Sequence, residues 1–112
     1  MNEKFKKAIL LSLFWALTSV SNAANLVVGR WLDDLGSPDF LDSQLSIVRD
    51  GSKYYLERHN GDGSSGRFRL EKQVGKDRYI KTGDKFGAVY EITPDGLDIY
   101  DRQGFIRQAK KR

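Results

Sequence analysis

The sequence predicts an all-β fold: a small antiparallel meander of about eight strands, forming a closed barrel or a strongly curved sheet. Three observations predict it. Turn signals recur at short, fairly even intervals from Arg49 to Gly104, the runs between them alternate apolar and polar residues, and no stretch sustains a 3.6-residue apolar period. Short, evenly spaced alternating runs suit strands joined by hairpins, each burying one face and wetting the other.

The elements follow in chain order. "NLVVGRWLDD" (Asn25 to Asp34) is the first strand, an apolar, β-branched run through Val27, Val28 and Trp31. "SPDFLDSQ" (Ser37 to Gln44) is the one candidate for a helical turn, with Ser37 as cap and Pro38 at the first helical position. Beyond it, "QLSIV" places Leu45 and Ile47 on one face, and "KYYLER" does the same with Tyr54 and Leu56. "GRFRLEK" offers Phe68 and Leu70, and "RYIKT" offers Ile80. "GAVYEIT" contributes Ala88, Tyr90 and Ile92, "GLDIYD" contributes Leu97 and Ile99, and "GFIRQ" ends the series. The turns are "RDGSK", "NGDGSSG", "GKD", "TGDK", "TPDG" and "DRQG", in which glycine accepts positive φ and Pro94 pre-sets the entry to its turn.

Gly29-Arg30-Trp31 on the first strand, an up-and-down meander and a late basic residue, Arg102 or Arg107, together resemble the lipocalin or calycin type of small β-barrel. The resemblance implies structural roles for Gly29, Trp31 and Arg107, with the indole closing one barrel end and the arginine packing across it. It would make Trp31 a plug and not a ligand contact.

Residues 1–23 read as an export signal. Lys4, Lys6 and Lys7 precede an apolar stretch from Ala8 to Val20, and Ser21-Asn22-Ala23 places small residues at a cleavage site after Ala23. The apolar stretch is shorter than the roughly 20 residues of a membrane span, so no stable membrane anchor is expected. The chain has no cysteine, hence no disulfide framework, and a bacterial periplasmic or secreted protein fits best. The β-meander domain is expected over residues 24–101, with the final hairpin strand and a basic C-terminal tail over 102–112.

The whole chain carries a formal charge of +4, but the expected mature part has 16 basic and 14 acidic residues, net +2. Residues 102–112 hold five basic residues and no acidic one. The end "RQAKKR" is read as a frayed, solubilising tail, with electrostatic contact to an anionic partner as the alternative.

Residues for chemistry are few. His59 is the only histidine, and Ser64 and Ser65 share a glycine-rich loop with it, without a third orienting group, so a Ser-His hydrolase is disfavoured. Zinc finds no adequate ligand set. Asn60, Asp62, Ser64 and Glu71 match the first, third, fifth and twelfth positions of a calcium loop, yet position six is Ser65 where glycine is required. A hairpin loop without an ion explains the same residues. Asp33 and Asp34, adjacent on a strand, point to opposite faces and read as solvated groups leading into a loop. No catalytic residue, metal or cofactor is expected.

The outer face is more suggestive. With the apolar set inward, Tyr55, Arg67, Arg69, Tyr79, Lys81, Val89 and Tyr100 point outward, and tyrosine with arginine suits recognition. Tyr55, Arg67, Arg69, Tyr79 and Tyr100 are the expected partner-binding set. The sequence thus points to a small exported, non-enzymatic binding protein acting on a protein partner in the bacterial envelope, of inhibitor or immunity type. A calycin-like carrier of a small apolar ligand is the alternative. Nucleic acid is disfavoured by export and by the acidic balance of the main body, and homo-oligomerisation stays open.

Overall fold

In the computed structural model of the chain, the structure describes residues 26–34 and 42–112. Eight strands run in chain order: β1 (Leu26–Asp33), β2 (Ser43–Asp50), β3 (Lys53–Asn60), β4 (Ser65–Lys72), β5 (Arg78–Lys81), β6 (Val89–Thr93), β7 (Gly96–Asp101) and β8 (Gly104–Lys111). Each pairs antiparallel with the next, and β8 returns to β1, so the sheet is a closed up-and-down barrel. Among the described residues there is no helix. The export signal and most of the predicted helical turn lie outside the described residues; Ser43 and Gln44, its last two residues, open β2.

The turns do what their composition demands. Gly51 takes φ 65° between β2 and β3, a conformation costly for any residue with a Cβ. In "TPDG" the Thr93 hydroxyl accepts from the backbone N–H groups of Asp95 and Gly96 at 3.3 and 3.2 Å, and donates to the Gly96 carbonyl at 3.1 Å. The β3–β4 loop is also self-satisfied. Asp62 accepts from the Ser64 N–H at 2.9 Å and from its hydroxyl at 2.6 Å, and these bonds hold its pKa below the usual 3.8.

An eight-stranded barrel is just wide enough for inward side chains to fill it. Here the filling consists of Trp31, Leu45, Ile47, Leu56, Leu70, Tyr79, Tyr90, Leu97, Ile99 and Ala109, with Tyr54, Phe68, Ala88 and Ile92 packed against them. The Gly-x-Trp triplet has a steric reason. Gly29 and Trp31 share a face two residues apart, and the indole lies back over Gly29, where a Cβ would stand 2.5 Å from Cη2 and 2.7 Å from Cζ2. The same device recurs on β4, where a Cβ on Gly66 would meet the Phe68 ring at 2.8 Å. Glycine makes room for an aromatic ring that then covers the bare backbone.

Four expectations are corrected. Tyr79 points inward, 1% exposed, with its ring 5.4 Å from that of Tyr54, while Ile80 lies on the outer side between Glu71 and Val89. The cause is register: Leu70 pairs with Lys81, which puts Lys81 and Tyr79 on Leu70's inner face. Lys81 is therefore inward as well, its ammonium 4.1 Å from the Phe68 ring centroid and 3.4 Å from Asp84. Asp33 is not a solvated group. It is fully buried, and Arg107 clamps it through Nε and Nη2, each 2.7 Å from one carboxylate oxygen. Finally, the tail is not frayed. β8 continues to Lys111, Ala109 is buried in the core, Trp31 pairs with Lys111 and Leu32 with Lys110, and the Arg112 N–H donates to the Arg30 carbonyl at 3.1 Å. Lys110 and Lys111 face water while Arg107 reaches in to Asp33, and the backbone of all three closes the barrel, so the chain from 102 onward continues the sheet of β1 to β7.

Candidate functional site

The long strands β1 to β4 present an outer face built by strict alternation, and cross-strand register sorts its residues into rows. Val27, Val48, Tyr55 and Arg69 form one row; Arg30, Ser46, Glu57 and Arg67 form the next; Leu32, Gln44, His59 and Ser65 form the third. A bulge at Val28, where β1 carries one residue more than β2, separates Val27 from the rest of β1 and bends its start.

Arg67 is the most constrained side chain on this face. Its guanidinium carbon stands 4.1 Å from the Tyr55 ring centroid, its Nε is 3.5 Å from Glu57 and its Nη2 is 3.9 Å from Asp50. Arg69, directly opposite Tyr55, approaches the same ring at 6.0 Å. A half-exposed guanidinium held by a ring and two carboxylates is already ordered, so a partner loses less side-chain entropy on meeting it. A groove of about 520 Å³ lies beside this platform, with Val27 and Val48 as its apolar part and Arg30, Gln44, Ser46, Glu57, His59 and Arg112 as its polar lining. A shallower depression of about 260 Å³, lined by Glu57, His59, Ser65, Gly66 and Arg67, shares Glu57 and His59 with it. The two depressions adjoin at these residues, between β1 and β4.

Of the five residues expected to bind a partner, the fold brings Tyr55, Arg67 and Arg69 together. Tyr79 is in the core and cannot touch a partner. Tyr100 faces outward on β7, three strands beyond β4, where its hydroxyl donates to Glu91 at 3.3 Å and Arg78 lies 5.3 Å over its ring. Desolvation first, then the Glu91 carboxylate, raises its pKa above 10. Tyr100 belongs instead to an aromatic pair that sequence reasoning missed: Phe105, 59% exposed, packs edge-on to it at 5.6 Å; Phe86 and Ile106 are exposed elsewhere on the described surface. Phe105 and Phe86 follow turn signals directly, and large aromatics there are the trace that could have found them. The groove residues Arg30, Gln44 and Arg112 were also missed, because they meet only when β8 returns to β1.

Gly29, Trp31 and Arg107, expected in structural roles, lie at β1 and β8. Trp31 is 3% exposed, and Arg107 binds Asp33, with Arg58 a second cation 3.7 Å from the same carboxylate. The hydrogen bond to Asp33 is the first cause that lifts the Arg107 pKa above its ordinary value.

The residues considered for catalysis and metal binding are placed as follows. Ser65 stands opposite His59 in register, but among the described residues no hydrogen bond joins His59 to either serine. The Ser64 hydroxyl is turned to Asp62 and accepts from Asn60. Glu71, the twelfth position of the calcium spacing, lies in β4 opposite Ile80 and not in the loop. Among the described residues, no group of three or more His, Asp or Glu side chains could hold a metal ion. Comparison with known proteins gives no similarity to draw on: no protein family, curated protein or solved structure matches the chain.

Proposed function

We propose that this chain is a small exported, non-enzymatic binding protein of the bacterial envelope that holds a protein partner on the outer face of β1 to β4, in the manner of an inhibitor or immunity protein. The ordered Tyr55–Arg67 stack beside a recess of about 520 Å³ carries the reading. Tyrosine and arginine provide broad contact at low entropic cost, and a closed barrel presents them on a rigid support. The packed interior also favours it: Leu45, Ile47 and Leu97 have no exposed surface, and Leu56, Leu70 and Tyr79 only 1%. The space beside Trp31 and Ile92, about 230 Å³, is below the roughly 300 Å³ at which small-molecule pockets begin, which gives the carrier alternative less support.

Affinity capture from an envelope extract tests the proposal. The wild-type protein is expected to retain a target that the Tyr55→Ala/Arg69→Ala double variant loses, with its melting temperature unchanged. Equal capture by both overturns the assignment of this face. Thermal protection by small apolar compounds, unaffected by the double variant, would favour the carrier instead.

A further inference from the structure

The recess contains a pattern of charge that specifies what can enter it. Along the row Arg30, Ser46, Glu57, Arg67 the signs run positive, neutral, negative, positive at about 4.8 Å per strand. Glu57 is occupied by Arg67 at 3.5 Å. Arg30 has no carboxylate partner among the described residues, and Arg112, whose N–H binds the Arg30 carbonyl, donates through Nη1 only to the neutral Gln44 at 2.6 Å. Two guanidinium groups without a side-chain carboxylate partner among the described residues thus line the groove, next to the exposed Val27 and the largely buried Val48.

We infer that the groove accepts an acidic segment of a partner protein, one carboxylate lying between Arg30 and Arg112 and an adjacent apolar side chain against the exposed Val27. The inference rests on the protein-binding reading above and adds the partner's chemistry. Guanidinium groups match carboxylates in shape as well as charge, since each can donate two parallel hydrogen bonds. The apolar part of the groove and the negative Glu57 within the row disfavour a uniform polyanion. Such a polymer would leave Val27 unused and bring negative charge against Glu57. A peptide that alternates acidic and apolar side chains satisfies both kinds of lining.

The test uses the full mature protein and three probes followed by fluorescence anisotropy or light scattering: a capped octapeptide alternating glutamate and leucine, its lysine–leucine counterpart, and vesicles containing anionic phosphatidylglycerol. The acidic peptide is expected to bind, and raising salt from about 0.05 to about 0.5 M should weaken it, because the contacts lie near the surface. Arg30→Gln should lower its affinity about tenfold, the equivalent of one charge-assisted hydrogen-bonded pair. Arg30→Glu should reverse the preference toward the lysine peptide, with melting unchanged. Equal binding of the two peptides by wild type, or binding of the vesicles alone, overturns the inference. If Tyr55→Ala/Arg69→Ala abolishes capture of a target while Arg30→Gln/Arg112→Gln leaves it intact, the binding face stands and the acidic groove falls. Loss with both variants supports both.

Discussion

Replacing Arg107 with alanine strands a carboxylate that water cannot reach. Asp33 is fully buried, and its two short bonds to Arg107 are its main compensation; only Arg58, at 3.7 Å, would remain beside it. Removing one partner of a buried pair costs about 3–5 kcal/mol, and the surviving Arg58 places this case near the lower end, about 3 kcal/mol. The reverse change is milder. Asp33→Ala leaves a guanidinium that is already 34% exposed and can turn to solvent, so the loss is that of a charge-assisted bond, about 1–2 kcal/mol. A domain of this size has roughly 5–10 kcal/mol of stability, so the first change removes roughly 30–60% of it. Urea titration followed by Trp31 fluorescence measures both. With a slope of about 1 kcal/mol/M, the midpoint should fall by about 3 M for Arg107→Ala and by about half that for Asp33→Ala. The double variant should lose less than the two singles together. Equal losses, or a larger one for Asp33→Ala, would refute the argument from unequal burial.

Three further predictions concern the core. Trp31→Ala should cost about 3–5 kcal/mol in denaturant unfolding, and Gly29→Ala, which forces a methyl group against the indole, about 1–3 kcal/mol; a Gly29→Ala protein that unfolds like wild type would contradict the packing of ring on glycine. Burial pushes the Tyr79 phenol up to about 12, so the fold disfavours its ionised form. Its contribution is complete below pH 10, the ordinary tyrosine value, and is lost as pH rises through about 12. An absorbance titration should show a late phenolate step that Tyr79→Phe diminishes; a wild-type titration complete before about pH 11 would count against it.

The strands and turns were legible because they depend on near neighbours. Alternation assigns Leu45 and Ile47, Phe68 and Leu70, or Leu97 and Ile99 to one face without knowledge of the rest. The alternation failed at β5. In "RYIK" two large apolar residues are adjacent in a four-residue strand, and only pairing with β4 decides which turns inward. Asp33 was illegible for another reason: its partner lies 74 positions away, and a lone carboxylate looks solvated until that partner is placed. The basic end misled because side-chain composition reports what faces water and says nothing of the backbone. The candidate face was half legible. Tyr55, Arg67 and Arg69 are joined by one hairpin, whereas Arg30 and Arg112 meet only through closure of the ring.

That closure is also the shortest seam in the barrel, two register pairs and one further backbone bond, and the Asp33–Arg107 clamp spans the same two strands. A parted seam would expose two lengths of unpaired backbone at once, each able to pair with the matching strand of another molecule. One buried ion pair therefore stands between the closed ring and polymerisation by strand exchange.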